Sequence, residues 1–115
     1  MKIEEVDILI IGAGPSGCVA AGYLEQQHAK IKIVERSTFP RLVVGESLIP
    51  RVMDHFAEAG LLEDLSAQQF QKKPGARFIR GEVISIFDFS DKFGEGWDWT
   101  WQVPRADFDM TMCQT

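Results

Sequence analysis

The sequence predicts an α/β fold: a strand–helix–strand crossover with a parallel sheet, plus additional β strands. Three observations carry this reading. An apolar run from Val6 to Ile11 ends at a cluster of glycines. The cluster opens a stretch of helical composition, Gly17 to Gln27. A second apolar run, Ile31 to Val34, follows and is closed by the acid Glu35. The crossover rule makes such a unit right-handed.

Each element has its own justification. Val6–Ile11 is short and continuous, as suits a strand buried on both faces. In the helical stretch, Val19, Ala20, Tyr23 and Leu24 are spaced to face a sheet. Arg36–Pro50 is a long connection carrying prolines and a glycine, and connections of this length are often functional. "RVMDHFAEAGLLEDL" reads as an amphipathic helix broken near Gly60. "ARFIRGEVISIFDFS" alternates apolar and polar residues like one or two strands, and "WDWTWQVP" alternates again. "RADFDMTMCQT" reads as the start of a helix, with Asp107 and Asp109 as first-turn acids. That helix has barely begun where the chain stops, and an open parallel sheet needs more strands than two. Residues 1–115 are therefore expected to be the front part of a longer protein, or to be completed by a partner.

Composition narrows the function. The net charge is −5 and no basic stripe is present, which argues against nucleic acid or an anionic membrane as the main partner. No stretch has the length of a transmembrane helix, and the acidic N-terminus is unlike a secretory signal. Cys18 and Cys113 make no disulfide framework, so a reduced cytoplasmic setting is expected. His28 and His55 have no partners at metal-ligand spacing and read as structural or exposed. Cys18, in the first helical turn, suits either a lowered thiol pKa or plain tight packing beside Gly17.

"GAGPSG" places Gly12, Gly14 and Gly17 in the G-x-G-x-x-G spacing, with Pro15 and Ser16 between them. Gly12 permits a tight turn off the strand, Gly14 a close backbone approach to a pyrophosphate, and Gly17 close helix–strand packing, with Ala21 one turn later keeping that contact small. The helix N-terminus offers free N–H groups and partial positive charge to phosphates. Glu35 lies about 20 residues downstream, placed to accept hydrogen bonds from a ribose diol, and it disfavours a 2′-phosphate. These features predict a Rossmann-type dinucleotide site and leave NAD and FAD both open.

"FPRLVVGESLIP" resembles the F-P-R-x-x-x-G-E-S-L-x-P segment of FAD-dependent oxidoreductases of the p-hydroxybenzoate hydroxylase superfamily. Within that group the chain is most similar to flavin-dependent halogenases acting on tryptophan or phenols, and geranylgeranyl reductases carry a similar loop. "WTWQVPRADFDMTM" resembles a later V-x-R-x-x-F-D-x-x-L segment. The likeness runs from Asp7 to Met112. It implies the N-terminal part of an FAD-binding domain, from an enzyme that reduces FAD, reacts it with O₂, and passes oxygen or halide to a small organic substrate. Arg36 and Arg41 would lie along the FAD, Arg41 in the strap that crosses it. Gly45, Glu46 and Ser47 would sit near the isoalloxazine, and Arg105 would support the adenosine half. A separate flavin reductase is implied as a partner. The family's G-D segment and substrate domain are absent from the sequence, so the chain alone is not expected to be a competent enzyme.

The resemblance also singles out Lys73, five residues before Phe78, as the lysine that helps deliver an electrophilic halogen. An amine with a lowered pKa suits that role. The alternatives are a solvated lysine beside the Pro74-Gly75 turn, with Lys72 as an adjacent competitor. "WTWQVP" matches the family's W-x-W-x-I-P signature except at Val103, but that signature belongs further along the chain. Trp97, Trp99 and Trp101 therefore read as an aromatic packing stripe. Other readings are an NAD-binding dehydrogenase piece, a reductase of prenyl lipids, or a non-enzymatic nucleotide-binding domain.

Overall fold

A computed structural model describes residues 1–115. The elements run β1 (Ile8–Ile11), α1 (Pro15–Glu25), β2 (Ile31–Val34), α2 (Arg51–Glu58), α3 (Leu62–Ala67), β3 (Gln71–Lys73), β4 (Gly75–Arg80), β5 (Val83–Asp88), β6 (Thr100–Gln102) and α4 (Arg105–Gln114). β1 and β2 pair in parallel, Ile8 opposite Ile31 through Ile11 opposite Val34. The expected crossover is present. α1 begins earlier than predicted because Pro15 occupies its first turn, where a fixed φ and a missing N–H cost nothing.

Two expectations about the crossover need correction. Burial of β1 on both faces is not met: Leu9 and Ile11 are 54% and 83% exposed, because α1 covers only one side of the strand pair. The inward face of α1 also differs from the spacing argument. Cys18 is its buried residue, Val19 and Tyr23 pack against the main core, and Ala20 is exposed. Gly22 explains the difference. A Cβ there would lie 2.4 Å from the Ala59 carbonyl oxygen, so α1 and the end of α2 meet backbone to backbone.

The break near Gly60 is a Schellman close. Gly60 takes φ +77, the Leu61 N–H reaches the Phe56 carbonyl at 2.8 Å, and the Gly60 N–H reaches Ala57 at 3.2 Å. Leu61 and Phe56 are both buried, supplying the apolar contact that accompanies this motif. The core sits where the helices meet β6. Met53, Leu65, Val103 and Phe108 are fully buried there. Phe56 stacks on Trp101 at 6.4 Å and meets Phe108 edge-on at 5.7 Å. The tryptophan stripe is present: Trp97–Trp99 and Trp99–Trp101 are edge-to-face pairs at 5.3 and 5.7 Å.

The remaining strands form two small antiparallel pairs. β4 and β5 make a hairpin, and Gly81 at φ +60 opens its two-residue turn as a type II′ turn requires. β3, absent from the sequence expectation, pairs with β6, Lys73 opposite Thr100. β6 is shorter than "WDWTWQVP" suggested, and its other edge is taken by the long connection. Leu48 N–H donates to the Trp101 carbonyl at 3.2 Å, and Val103 N–H to the Glu46 carbonyl at 2.8 Å. The connection from Arg36 to Pro50 is thus a strap tied to the free edge of β6 by an isolated bridge at Ser47.

Candidate functional site

The glycine loop is built as its spacing required. Gly12 has φ +106, which a side chain would strain. A Cβ at Gly17 would lie 2.1 Å from the Gly12 carbonyl oxygen, so the helix can approach the loop only as glycine. Gly14 differs: a Cβ there would meet only Arg41 Nη2, at 3.7 Å. Its role is to keep an outer surface open, not to permit packing. The first helical bond is Cys18 N–H to the Gly14 carbonyl at 3.0 Å, so the Ser16 and Gly17 N–H groups precede it. They front an open groove of about 590 Å³ lined by Ile10, Ile11, Gly12, Gly14, Pro15, Ser16, Gly17 and Arg105. Phosphate oxygens suit such a surface.

Glu35 ends β2 and turns back toward the loop. Its carboxylate accepts the Ala13 N–H at 2.8 Å and the Ser37 N–H at 3.0 Å, and pairs with Arg41 at 3.1 Å. The Ala13 and Ser37 bonds, with Arg41 adding to them, hold its pKa below the usual carboxylate value.

Arg41 links Glu35 to Asp109, whose Oδ2 lies 3.6 Å from Arg41 Nη2. Asp109 also takes a two-pronged bond from Arg105, 2.7 Å from Nε and 3.0 Å from Nη2. Here the sequence expectation fails. Asp107 is a first-turn helix acid, but Asp109 is completely buried and joins two arginines. The available signal was the i,i+4 spacing of Arg105 and Asp109 on one helix. Arg105 then donates through Nη1 to the carbonyls of Val44, at 3.0 Å, and Gly45, at 3.3 Å. One charged chain therefore runs from the acid of β2 through Arg41, Asp109 and Arg105 to the strap. Arg36 takes no part and stays exposed.

The far end of the strap meets Lys73. Its ammonium donates to Ser47 Oγ and to the Leu48 carbonyl at 3.1 Å, and lies 5.5 Å from the Phe89 ring centre. Lys72 points the other way, with Nζ 4.4 Å from the Trp99 ring centre. The period-2 alternation of β3 thus separates the two candidate lysines. Gly45 takes φ +99 directly beneath Arg105, while Glu46 is exposed and holds β6 through its carbonyl.

Cys18 resolves toward packing. It is 4% exposed, and burial, followed by the nearby Cys113 and Asp109, pushes its thiol up to about 11. The alternative of a lowered thiol pKa is overturned. His28 takes φ +60 in the turn that follows α1, and His55 Nδ1 lies 3.2 Å from the Tyr23 hydroxyl.

The family profile described as tryptophan halogenase matches residues 7–107, nearly all of this geometry. The chain belongs to the tryptophan halogenase family. It is 34% identical over 102 residues to a tryptophan 2-halogenase of Chondromyces crocatus, covering 89% of this chain and 19% of that protein. It is 35% identical to the sulochrin halogenase of Aspergillus terreus, covering 92% and 19% respectively. Among solved structures, a flavoprotein/dehydrogenase from Cytophaga hutchinsonii superposes with a TM-score of 0.92 at 56% identity, covering 96% of this chain and 27% of that one. The flavin-dependent halogenase CmlS superposes at 0.86 with 36% identity, covering 98% and 21%. The chain thus spans about a fifth of the length of these curated halogenase relatives. The expected α/β Rossmann-type fold is the halogenase fold over this span. No helix is long and apolar enough to cross a membrane.

Proposed function

We propose that this chain is the FAD-binding portion of a flavin-dependent halogenase-like oxidoreductase. The observation that carries the reading is the strap. One segment is held at Gly45 by Arg105, on the rim of the glycine-loop groove, and at Ser47 by Lys73. A cofactor-binding surface and a candidate reactive lysine are thereby joined through a few residues of backbone.

The residues present fit FAD. The groove is open at Gly14, helix α1 presents its N-terminus there, and Glu35 stands at the end of β2. Arg41 Nε is buried with no partner, a donor left over beside the loop. Gly12, Gly14, Pro15, Ser16 and Gly17 would hold the pyrophosphate, and Glu35 the ribose diol. Arg36, Arg41 and Arg105 would flank the cofactor, with Gly45, Glu46 and Ser47 toward its ring. When bound and reduced, FAD supplies the electrons that activate O₂. Lys73 Nζ, with one donor to spare after binding Ser47 and Leu48, would orient the halogen oxidant toward a small organic substrate. A cytoplasmic setting and a separate flavin reductase complete the proposal, and the 115 residues alone would not turn over substrate.

A second reading has its own support: the 56%-identical neighbour is described as a flavoprotein/dehydrogenase. A reductase built on the same FAD site would consume no halide. The first test is the visible spectrum of the purified protein and FAD titration of the apo form, followed by flavin fluorescence. Bound flavin that is lost in Gly14→Val supports the FAD site. Binding of NAD in place of flavin refutes it. In the full-length enzyme, a halide-dependent product that disappears in Lys73→Ala selects the halogenase, and turnover without halide selects the reductase.

A further inference from the structure

We infer that Ser47 is a positioning residue for Lys73, setting where its ammonium points; the inference rests on the reading of Lys73 as the halogen-delivering lysine. Ser47 stands opposite Gln102 and Lys73 opposite Thr100, on the two edges of β6. Cross-strand partners share a face, and residues two apart on one strand share it too. Ser47 and Lys73 therefore flank β6 on one face, with the tryptophan stripe on the other, and the long lysine side chain reaches across to the serine.

An ammonium has three donors and no acceptor. Two are committed here, one to Ser47 Oγ and one to the Leu48 carbonyl at 3.1 Å. With two bonds fixed, tetrahedral geometry fixes the third N–H direction. One tether alone would leave the head group free to swivel on a long, flexible stem. The Leu48 tether is backbone and survives any substitution. Ser47 supplies the side-chain tether, so it is the one a sequence change can remove. Thr100, fully buried opposite Lys73, carries a hydroxyl with no partner. A buried hydroxyl without a partner calls for a polar group nearby. The Thr100 hydroxyl and the third N–H of Lys73 are thus the uncommitted polar groups at this register position.

Ser47 also binds this position to the cofactor side. The strap residues just before it are fixed by Arg105 at Val44 and Gly45 and by Val103 at Glu46. A hydroxyl on that segment aligns Lys73 to the strap itself.

The test compares Ser47→Ala, Ser47→Thr and Lys73→Ala in the full-length enzyme, measuring halogenated product per reduced flavin consumed and FAD affinity separately. Ser47→Ala should lower product per flavin about tenfold, the scale of one lost hydrogen bond to a charge. Ser47→Thr should restore most of it, and adding Ser47→Ala to Lys73→Ala should cost nothing more. An activity-independent readout is the Lys73 ¹⁵Nζ resonance, which should move in Ser47→Ala and return in Ser47→Thr. Wild-type product per flavin in Ser47→Ala, weakened FAD binding as its sole defect, or an unmoved resonance overturns the inference. Full halogenation by Lys73→Ala instead overturns the reading of Lys73, and the inference with it.

Discussion

Around Asp109, charged side chains from the strap, β2 and α4 are drawn together and out of solvent. Along β4 and β5 the opposite holds. Phe78, Ile79, Val83, Ile84, Ile86 and Phe87 are each half or more exposed. Both regions read clearly from local pattern, the one as a helix start and the other as alternating strands. Neither pattern foretold its burial. The hairpin is held by its own ladder and turn and has no covering layer, whereas the clamp gathers groups more than 60 residues apart, as in the Arg105–Val44 bond. Burial is a property of what packs on a segment, and local periodicity names only the face available for packing.

Asp109→Ala leaves Arg41 and Arg105 without their shared buried carboxylate and should cost about 3 kcal/mol, read as a shifted urea midpoint. A loss under about 0.5 kcal/mol, the scale of ordinary surface changes, would show that the network is no stronger than a surface pair. Gly17→Ala comes next. Its Cβ would meet backbone at 2.1 Å, so about 2 kcal/mol of overpacking is expected, while Gly14→Ala should unfold near the wild-type midpoint.

The pH dependence of the clamp is smaller. The folded-state pKa of Glu35 is depressed, so its contribution is complete above the ordinary carboxylate value and is lost as pH falls through the lower folded value. Melting temperatures measured from neutral to acid pH should therefore drop less steeply in Glu35→Gln. An identical acid slope would remove Glu35 from the clamp. On the hairpin, Ile86→Thr on an exposed strand should change stability by less than about 0.5 kcal/mol. A larger loss in a denaturant melt would mean that the hairpin is covered in solution and the contrast is false.

The sequence by itself determined the crossover, the glycine loop and its acid, and the break at Gly60. Each depends on residues close in the chain, where steric limits at glycine and proline and the period of side-chain exposure leave few solutions. The resemblance in "FPRLVVGESLIP" pointed to the family, and residues 7–107 bear it out. The tertiary structure alone decided which acid is buried, which of two adjacent lysines faces the strap, and that the strap bridges to the edge of β6 at Ser47. Asp109 and Asp107 differ by half a turn of one helix, and Lys72 and Lys73 by one step of one strand. Which side meets a neighbour depends on where distant chain arrives, and pairings such as Ser47 with Lys73 leave no periodic trace in the sequence.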